Sequence, residues 1–425
     1  MQARQSSELH LAWNNLMFAA VYRACKGSRA AKLSVTVCEA TKDVCGIRDA
    51  RIEKHLFLAT ALCALNACQT APPRKRPEYH ESIGNLVRSL LDSATHRNGA
   101  DETAFKDVIS HEPQTGRTFG RYKNAHHYSD GLFSEVFKAV APSECGETTR
   151  SQIVALKVTT PDMMTPPHDS RREARILIAV KGDHIIPLVE TFQQTGGRLV
   201  LVFPFMPYGL DGLLPSNKLP NTARRTILHD LFSGLAHIHG MGIIHRDIKP
   251  SNILLASPSG PAFISDFGIA WSPNDHASEP LNEKILDVGT TCYRPPELLF
   301  GHGAYGTKFD IWAAGCVAAQ VVCLNGKILF DAGELGSELA LIKSIFETLG
   351  TPDLGVWPEA AGFPDWGKMN FTRYPARKWG DVLAGADPSA VDFVSQLVVY
   401  ESGQRLTAEE VRKTSEELWI VSNLC

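Results

Sequence analysis

An aspartate, a lysine and an asparagine occur within the eight residues from His245 to Asn252. Asp247 and Asn252 are five residues apart, so they cannot share a simple helical face and are expected to be neighbours on a tight loop. A second carboxylate, Asp266, follows 14 residues later, after the apolar pair Phe263-Ile264. A catalytic aspartate, a lysine, an amide and a second carboxylate are what the transfer of a phosphoryl group from Mg-ATP requires. The spacing therefore predicts phosphoryl transfer, with ATP and Mg²⁺ as cofactors.

Two motifs resemble the catalytic loop and the metal-binding motif of the protein kinase family: His245-Arg246-Asp247-Ile248-Lys249-Pro250-Ser251-Asn252 and Asp266-Phe267-Gly268. The resemblance implies that Asp247 orients the substrate hydroxyl and accepts its proton, and that Lys249 stabilises charge on the transferring phosphoryl group. Asn252 and Asp266 are the implied ligands of two Mg²⁺ ions. The proline after Lys249 implies a serine/threonine rather than a tyrosine kinase.

A lysine interrupts the short apolar strand Val154-Ala155-Leu156-Lys157-Val158. Burying a lysine is costly unless its charge is paired. Glu173, in the helical pattern from Arg171 to Val180, is the expected partner. Asp169 is a nearby alternative partner, and Glu173 could instead be a solvated carboxylate on a helix. By the family resemblance, the Lys157–Glu173 pair holds the α- and β-phosphates of ATP.

The segment from Ser129 to Val136 resembles the Gly-rich loop that covers ATP in protein kinases. It keeps the middle glycine, Gly131, and the valine, Val136. Ser129 and Ser134 stand where the first and third glycines usually are. Side chains at these outer positions crowd the approach of backbone N–H groups to the phosphates. The departure bears on ATP affinity and turnover, and it favours the alternative of a pseudokinase scaffold that binds nucleotide without turnover.

The apolar run that ends at Phe203 predicts a buried strand. With the segment that follows, it resembles the strand and hinge behind the adenine of ATP, and Phe203 is the bulky residue at the back of the site. Because Pro204 has no N–H, Met206 is expected to supply the next backbone donor toward adenine. Ala155 and Leu254 are the other side chains that the resemblance places against the nucleotide.

The resemblance implies an α+β fold in two lobes. These are a small β-rich N-lobe with one key helix (120–203), joined by a hinge (204–209) to a large helical C-lobe (210–421). Residues 1–119 are expected to form an N-terminal extension of uncertain order. Within it, apolar residues at helical spacing predict one amphipathic helix at 81–94, either packed on a core or forming a docking surface.

Composition limits the classes of protein to which the chain can belong. With 44% hydrophobic and 21% charged residues over 425 positions, it is typical of a soluble globular protein. The net charge of −3 gives no reason to expect nucleic acid or a membrane as a partner. Ten cysteines form no dense framework, so we expect a reduced, intracellular protein in the cytoplasm, the nucleus or both. A basic cluster at Arg74-Lys75-Arg76 leaves nuclear import open, and the basic first 32 residues leave an organelle transit peptide open.

One longer segment indicates the group within the family. It runs from Ile345 to Asp353 and is followed by Val356-Trp357-Pro358. The segment resembles the insert region of the cyclin-dependent kinases and their close relatives, the CMGC group. This resemblance implies a protein substrate, which for an activating kinase of the group would be another cyclin-dependent kinase.

Two departures from typical members of the group concern activation. The helix around Glu173 lacks the motif by which typical members bind cyclin. Ile285, twelve residues before Glu297, occupies the position of their activating threonine. The chain therefore resembles a fungal-type CDK-activating kinase that is neither cyclin-bound nor loop-phosphorylated, in which Glu283 would pair with Arg246 in place of a loop phosphate. The alternative is an ordinary kinase of the same group that needs a cyclin.

Further expectations concern the segments that support the catalytic loop. Asp310 is expected to hold its backbone, and Glu297 to pair with Arg405. Thr290 is expected to bond the catalytic aspartate and lysine, although it is also a candidate phosphorylation site. Gly289 stands where proline-directed relatives hold a strained non-glycine residue, and glycine removes that strain. We therefore predict that proline is not required after the phosphorylated serine or threonine.

Overall fold

The computed structural model describes residues 116–142, 152–215, 219–323 and 326–417. The chain divides into units 1–113 and 114–425, and every described residue belongs to the second unit. The predicted amphipathic helix at 81–94 lies outside the described residues.

An antiparallel sheet of six strands forms the N-terminal part of the described unit. Its strands are β1 (Arg117–Phe119), β2 (Tyr122–Asp130), β3 (Ser134–Val140), β4 (Ile153–Thr159), β5 (Glu190–Gln194) and β6 (Arg198–Pro204). Their order across the sheet is β1-β2-β3-β4-β6-β5. Because β1 begins at Arg117 and pairs with β2, the sheet starts before residue 120, where the sequence placed the start of the N-lobe.

Side-chain alternation in β4 separates the core from the cleft. Val154, Leu156 and Val158 are buried in the core of the sheet, whereas Ala155 and Lys157 point to the opposite face and are only partly buried. Successive residues of a strand point to opposite faces, so the apolar run can supply a core and still present one lysine on the other side.

Helix α1 (Ser170–Ala179) follows β4 and carries Glu173 on its buried side. The Asp169 side chain caps the helix by accepting hydrogen bonds from the N–H groups of Arg171 at 2.8 Å and Arg172 at 3.0 Å. Such a cap satisfies donors that have no partner within the helix. Asp169, the alternative partner considered for Lys157, therefore serves as the cap of this helix.

The C-lobe is mainly helical. Its helices are α2 (Leu210–Leu213), α3 (Asn221–Gly240), α4 (Pro296–Leu299), α5 (Lys308–Val322), α6 (Glu338–Leu349), α7 (Trp379–Val382), α8 (Pro388–Leu397) and α9 (Ala408–Glu417). A small sheet, in the order β7-β8-β9, lies below the hinge and is formed by β7 (Tyr208–Gly209), β8 (Ile253–Leu255) and β9 (Ala262–Ile264). Among the described helices, none has the length and apolar character needed to cross a bilayer. The α+β fold in two lobes expected from the sequence is confirmed.

A buried ion pair joins α4 to the segment before α9. Glu297 and Arg405 form two hydrogen bonds, at 2.7 and 2.6 Å, and both side chains are almost fully buried. Arg405 also donates to the carbonyls of Val399, Lys308 and Tyr400. The pairing predicted from the sequence is confirmed, and it fixes the end of the segment that follows the catalytic loop.

We expect Glu297→Gln to lower the free energy of unfolding by about 3–5 kcal/mol, because it leaves the buried guanidinium of Arg405 without a counter-charge. Denaturant unfolding of the full chain measures the effect. Lys343→Ala is the control, since it removes an exposed pair with Glu347, at 3.6 Å, that contributes less than about 1 kcal/mol. Equal effects of the two substitutions would contradict a structural role for the buried pair.

Candidate active site

The backbone of the catalytic loop is fixed by one carboxylate. Asp310 of α5 accepts hydrogen bonds from the N–H groups of His245 at 2.8 Å and Arg246 at 2.9 Å, and His239 Nε2 lies 2.9 Å from the same carboxylate. Arg246 has a φ of 68°, which non-glycine residues rarely adopt. The buried aspartate thus stabilises an unfavourable turn, as the sequence predicted.

The carboxylate of Asp247 lies at the centre of a hydrogen-bond network. Asn252 Nδ2 donates to the Asp247 carbonyl at 2.8 Å and to its Oδ2 at 3.0 Å, and Lys249 Nζ lies 2.8 Å from that Oδ2. Thr290 donates to Oδ1 through its N–H at 3.0 Å and its hydroxyl at 2.8 Å. The Thr290 hydroxyl also accepts from Lys249 Nζ at 2.9 Å, so the contact predicted for Thr290 is confirmed.

Lys157 links the N-lobe to the C-lobe at the site. Its Nζ donates to both oxygens of Glu173, at 2.7 and 2.8 Å, and to Asp266 Oδ1 at 2.7 Å. Burial alone would lower the pKa of Lys157, but the charges of Asp266 and Glu173 raise it above its ordinary value. The Lys157 charge in turn holds the pKa of Asp266 well below its usual range. Burial raises the pKa of Glu173, and the charge of Lys157 opposes that rise. Lys157 and Asp266 are therefore both charged at neutral pH, as a phosphate and metal site requires.

The hairpin of β8 and β9 joins the network around Asp247 to the group formed by Lys157, Glu173 and Asp266. Ser265 donates from its N–H and its hydroxyl to the Asn252 carbonyl, at 2.9 and 3.0 Å. His245 Nε2 lies 3.0 Å from the Ser265 carbonyl, and the His245 ring packs edge-on against Phe267 at 4.7 Å. Phe267 is fully buried, which holds the neighbouring Asp266 at the mouth of the cleft.

Residues predicted to contact ATP lie in register on adjacent strands. Val136 of β3 pairs with Lys157 of β4, and Ala155 of β4 pairs with Phe203 of β6. Lys157 and Ala155 occupy the face of β4 away from the N-lobe core. These strand pairings place four of the predicted nucleotide contacts along one side of the sheet.

The turn between β2 and β3 is the counterpart of the Gly-rich loop. Gly131 N–H donates to the Ser134 carbonyl at 2.7 Å, and a Cβ at Gly131 would lie only 2.6 Å from Ser134 Oγ. A side chain at the middle glycine position would therefore require the Ser134 hydroxyl to rotate away. Ser129 lies in β2 opposite Val136, so the two replacement serines flank the turn.

The hinge leaves few backbone groups for adenine. Phe203 is buried at the end of β6, and Phe205 N–H donates to the Ile153 carbonyl at 3.1 Å. Among the described backbone hydrogen bonds none starts from the N–H of Met206, so this donor remains for a ligand. Leu254, in β8 below the hinge, is partly buried. Its neighbours Ile253 and Leu255 are buried in the core, so the Leu254 side chain points to the opposite face of the strand.

Oxygen ligands suited to Mg²⁺ occur where the sequence predicted them. In the part of the chain that the structure describes, no hydrogen bond engages Oδ2 of Asp266 or the amide oxygen of Asn252. The Asp266 side chain is 48% exposed. Magnesium is bound by carboxylate and other oxygen ligands together with substrate phosphates. The residues present therefore fit Mg²⁺, and the nearby Lys157 fits the phosphates of ATP.

A carboxylate of the activation segment, residues 266–297, neutralises Arg246. Arg246 has no exposed surface, and its guanidinium lies 3.0 and 3.3 Å from the two oxygens of Glu279. Burial would raise the pKa of Glu279, but the charges of Arg246 and Arg172 lower it below its ordinary value. Glu283, the partner predicted from the sequence, is exposed. That prediction is wrong because the backbone brings the earlier glutamate to the arginine.

The activation segment also contacts helix α1 directly. Arg175 donates to both oxygens of Asp275, at 2.7 and 3.0 Å, and Arg172 donates to the Ala277 carbonyl at 3.1 Å. The hydrogen bonds from Arg175 lower the pKa of Asp275. These contacts hold α1 from the side opposite its Glu173–Lys157 pair.

Sequence reasoning missed Glu279, Asp275 and Arg175. The segment that carries the two acids has no periodicity, so spacing does not indicate which side chain reaches which cation. Ile285 packs with the apolar residues around Trp271, as its side chain favours.

Gly289 adopts a left-handed backbone conformation in the activation segment. Its φ is +76°, and its carbonyl accepts a hydrogen bond from Arg294 Nε at 2.9 Å. An added Cβ would lie 2.9 Å from the Arg246 carbonyl. Glycine does remove the strain of this left-handed turn, but the turn itself is retained. The peptide preference predicted from this glycine stays a prediction.

Comparisons with known proteins agree with this geometry. A family model described as protein kinase domain matches residues 122–415. The chain is 37% identical over 281 residues to the serine/threonine-protein kinase csk1 of Schizosaccharomyces pombe, which covers 65% of this chain and 88% of that protein. It is 31% identical over 293 residues to cyclin-dependent kinase 20 of Danio rerio, covering 68% and 81%. With cyclin-dependent kinase B2-1 of Oryza sativa subsp. japonica it shares 29% identity over 306 residues, covering 69% and 89%.

The match of the family model covers more than half of the chain, and two relatives exceed 30% identity over most of their own length. The site contains a paired lysine, a catalytic loop held by a buried aspartate, and oxygen ligands for magnesium. The chain therefore belongs to the protein kinase family, as a serine/threonine kinase of the cyclin-dependent kinase-like group.

Proposed function

We propose that this kinase is autonomous, needing neither a cyclin nor phosphorylation of its own activation segment, and that its substrate is the activation segment of another cyclin-dependent kinase. The observation that carries the proposal is the pair of hydrogen bonds between Arg246 and Glu279. It supplies a permanent negative charge to the arginine that usually binds a loop phosphate. Ile285, at the position of the activating threonine, has no hydroxyl to phosphorylate.

In the proposed mechanism, Asp247 orients the hydroxyl of the substrate and accepts its proton as the oxygen bonds to the γ-phosphorus. The bond from that phosphorus to the leaving oxygen breaks, and ADP carries away the electron pair. Lys249 and Lys157 supply positive charge, the first near the transferring group and the second at the α- and β-phosphates. Bound Mg²⁺ would be held by Asn252 and Asp266 and would neutralise phosphate charge.

The contacts of helix α1 support independence from a cyclin. Glu173 already pairs with Lys157, and Arg175 already binds Asp275 on the other side of the helix. Because the helix is already in this position, a partner protein such as a cyclin would not need to move it. The proposal places the enzyme in the cytoplasm, the nucleus or both, where ATP and other kinases are available.

We expect the isolated chain to transfer phosphate from Mg-ATP to an unphosphorylated cyclin-dependent kinase without added cyclin. Asp247→Asn should lower the rate by roughly 10²–10⁴-fold, because a general base of this kind contributes about that factor. Incorporation of labelled phosphate measures both rates, and nucleotide binding to both proteins shows that the variant is folded.

Each alternative function has its own outcome in this experiment. Activity that appears only after cyclin is added would identify a cyclin-requiring kinase. Inactivity of both proteins with ATP binding intact would mean that the substrate is another protein. Nucleotide binding without turnover on any protein would support the scaffold suggested by Ser129 and Ser134.

We expect Glu279→Gln to lower kcat/KM at least about tenfold. The substitution leaves the buried Arg246 without its anion, which should destabilise the active conformation of the activation segment by more than about 1.4 kcal/mol. Glu283→Gln is the matched control, since Glu283 is exposed in the same segment and should keep full activity. The same rate assay compares the two variants. A loss in the control but not in Glu279→Gln would restore the pairing first predicted from the sequence.

The turn at Gly289 bears on the preference for the residue that follows the phosphorylated serine or threonine. Its carbonyl is already bonded to Arg294, so a substrate residue with an N–H finds no free acceptor there, whereas proline has no N–H to leave unpaired. We expect peptides with serine followed by proline to be phosphorylated about 3–10-fold faster than matched peptides with alanine, from about 1 kcal/mol of hydrogen bonding. Equal rates for the two peptides would contradict this assignment.

A further inference from the structure

Two histidines and an aspartate meet where helix α3 contacts the segment between α1 and β5. His229 and Asp230 belong to α3, and His184 belongs to the connecting segment. The Asp230 side chain is almost fully buried, whereas that of His229 is 44% exposed. The cluster shares no residue with the active site described above.

The distances within this cluster are unusual for hydrogen bonds. His184 Nδ1 lies 3.4 Å and His229 Nδ1 lies 3.3 Å from the same oxygen, Asp230 Oδ1. Charge-assisted N–H···O bonds are about 2.7–2.9 Å long. Ligand atoms around a tetrahedral zinc ion, with bonds of about 2.0–2.1 Å, are about 3.3 Å apart. The two separations are longer than charge-assisted hydrogen bonds and match the edges of a tetrahedral zinc site.

The backbone holds two of these groups in place. Asp230 Oδ2 accepts a hydrogen bond from Ala262 N–H at 2.9 Å, which leaves Oδ1 to face the histidines. His184 has a φ of 61°, and its carbonyl accepts from Ile264 N–H at 2.8 Å. A non-glycine residue in this conformation is strained, and such strain is concentrated at functional sites. His184 Nδ1 also lies within hydrogen-bond distance of the Ala262 carbonyl, at 3.2 Å, so a bound ion would replace the proton between these two atoms.

The cluster has room for an ion and for a ligand from solvent. His184 and His229 line an open cleft of about 440 Å³, together with Glu409 and Arg412 of α9. The nitrogens of the two histidines and the aspartate oxygen all lie within 4.8 Å of one another.

We propose that His184, His229 and Asp230 bind a divalent first-row transition metal ion, for which zinc is the probe. Two imidazole nitrogens and one carboxylate oxygen are the ligands that such ions accept. The bound ion would connect the segment after α1 to helix α3 of the C-lobe. Its role would be structural, because the cluster contains none of the residues assigned to phosphoryl transfer.

The test is zinc binding to the untagged full chain after treatment with a chelator, measured by competition with a chromophoric chelator. His184→Asn suits the left-handed backbone, since asparagine tolerates it, and His229→Ala changes an exposed position. We expect each substitution to weaken binding at this site at least tenfold, and the double variant to bind one equivalent less than the wild type. Because cysteines elsewhere can also bind zinc, the difference in equivalents is the decisive number.

His237→Ala is the matched control, because His237 lines the same cleft but does not belong to the cluster. It should retain the wild-type number of zinc equivalents. Zinc should also raise the thermal unfolding midpoint of the wild type and of this control, but not that of the double variant. Unchanged stoichiometry in the double variant, or an equal loss in His237→Ala, would overturn the proposal.

Discussion

The active site depends on the charge of one ammonium group. Lys157 lies 2.7 Å from a carboxylate of α1 and 2.7 Å from Asp266, which follows the last strand of the C-lobe sheet. Since electrostatic attraction is strong in partly dehydrated surroundings, all three groups are paired only when the strand, the helix and the loop adopt this arrangement together. The phosphate site and the metal site are consequently not independent: a shift of α1 would alter both.

A second cation organises the activation segment. Arg246 is fully buried, so its guanidinium requires hydrogen-bond acceptors and an anion within the protein. It obtains them from Glu279, from the Ile269 carbonyl at 2.6 Å and from the Tyr305 hydroxyl at 3.2 Å. The residues just before Glu279 contact α1, so the conformation that neutralises this arginine also holds the helix that supplies Glu173.

Residues in short motifs of fixed spacing could be predicted from the sequence. The catalytic loop, the Lys157–Glu173 pair and the burial of Glu297 with Arg405 follow from such motifs. The partner of Arg246 could not be predicted, because the identity of the nearest acid depends on the path of an aperiodic segment. That path is set by distant contacts, such as the hydrogen bond from Trp271 Nε1 to the Glu279 carbonyl at 2.9 Å.

Gly289 illustrates a different limit. The sequence indicated that strain is absent there, as a glycine in this turn allows, but it did not reveal Arg294, which donates to the Gly289 carbonyl from five residues away. The cluster around Asp230 was not recognisable either, because His184 and His229 are far apart along the chain and meet only through the packing of α3.

The carboxylate of Glu279, which pairs with Arg246, differs from a phosphoryl group because it cannot be removed. A phosphoryl group carries about −1.5 to −2 charges and can be removed by a phosphatase, whereas Glu279 carries a single charge and is present from the moment of synthesis. Under the proposed function, the enzyme would need no prior phosphorylation and would not be inactivated by a phosphatase that acts on its loop. Its rate in the cell would then depend on its concentration and on its encounters with substrate. Such a constant activity suits an enzyme that phosphorylates kinases whose own activity is regulated.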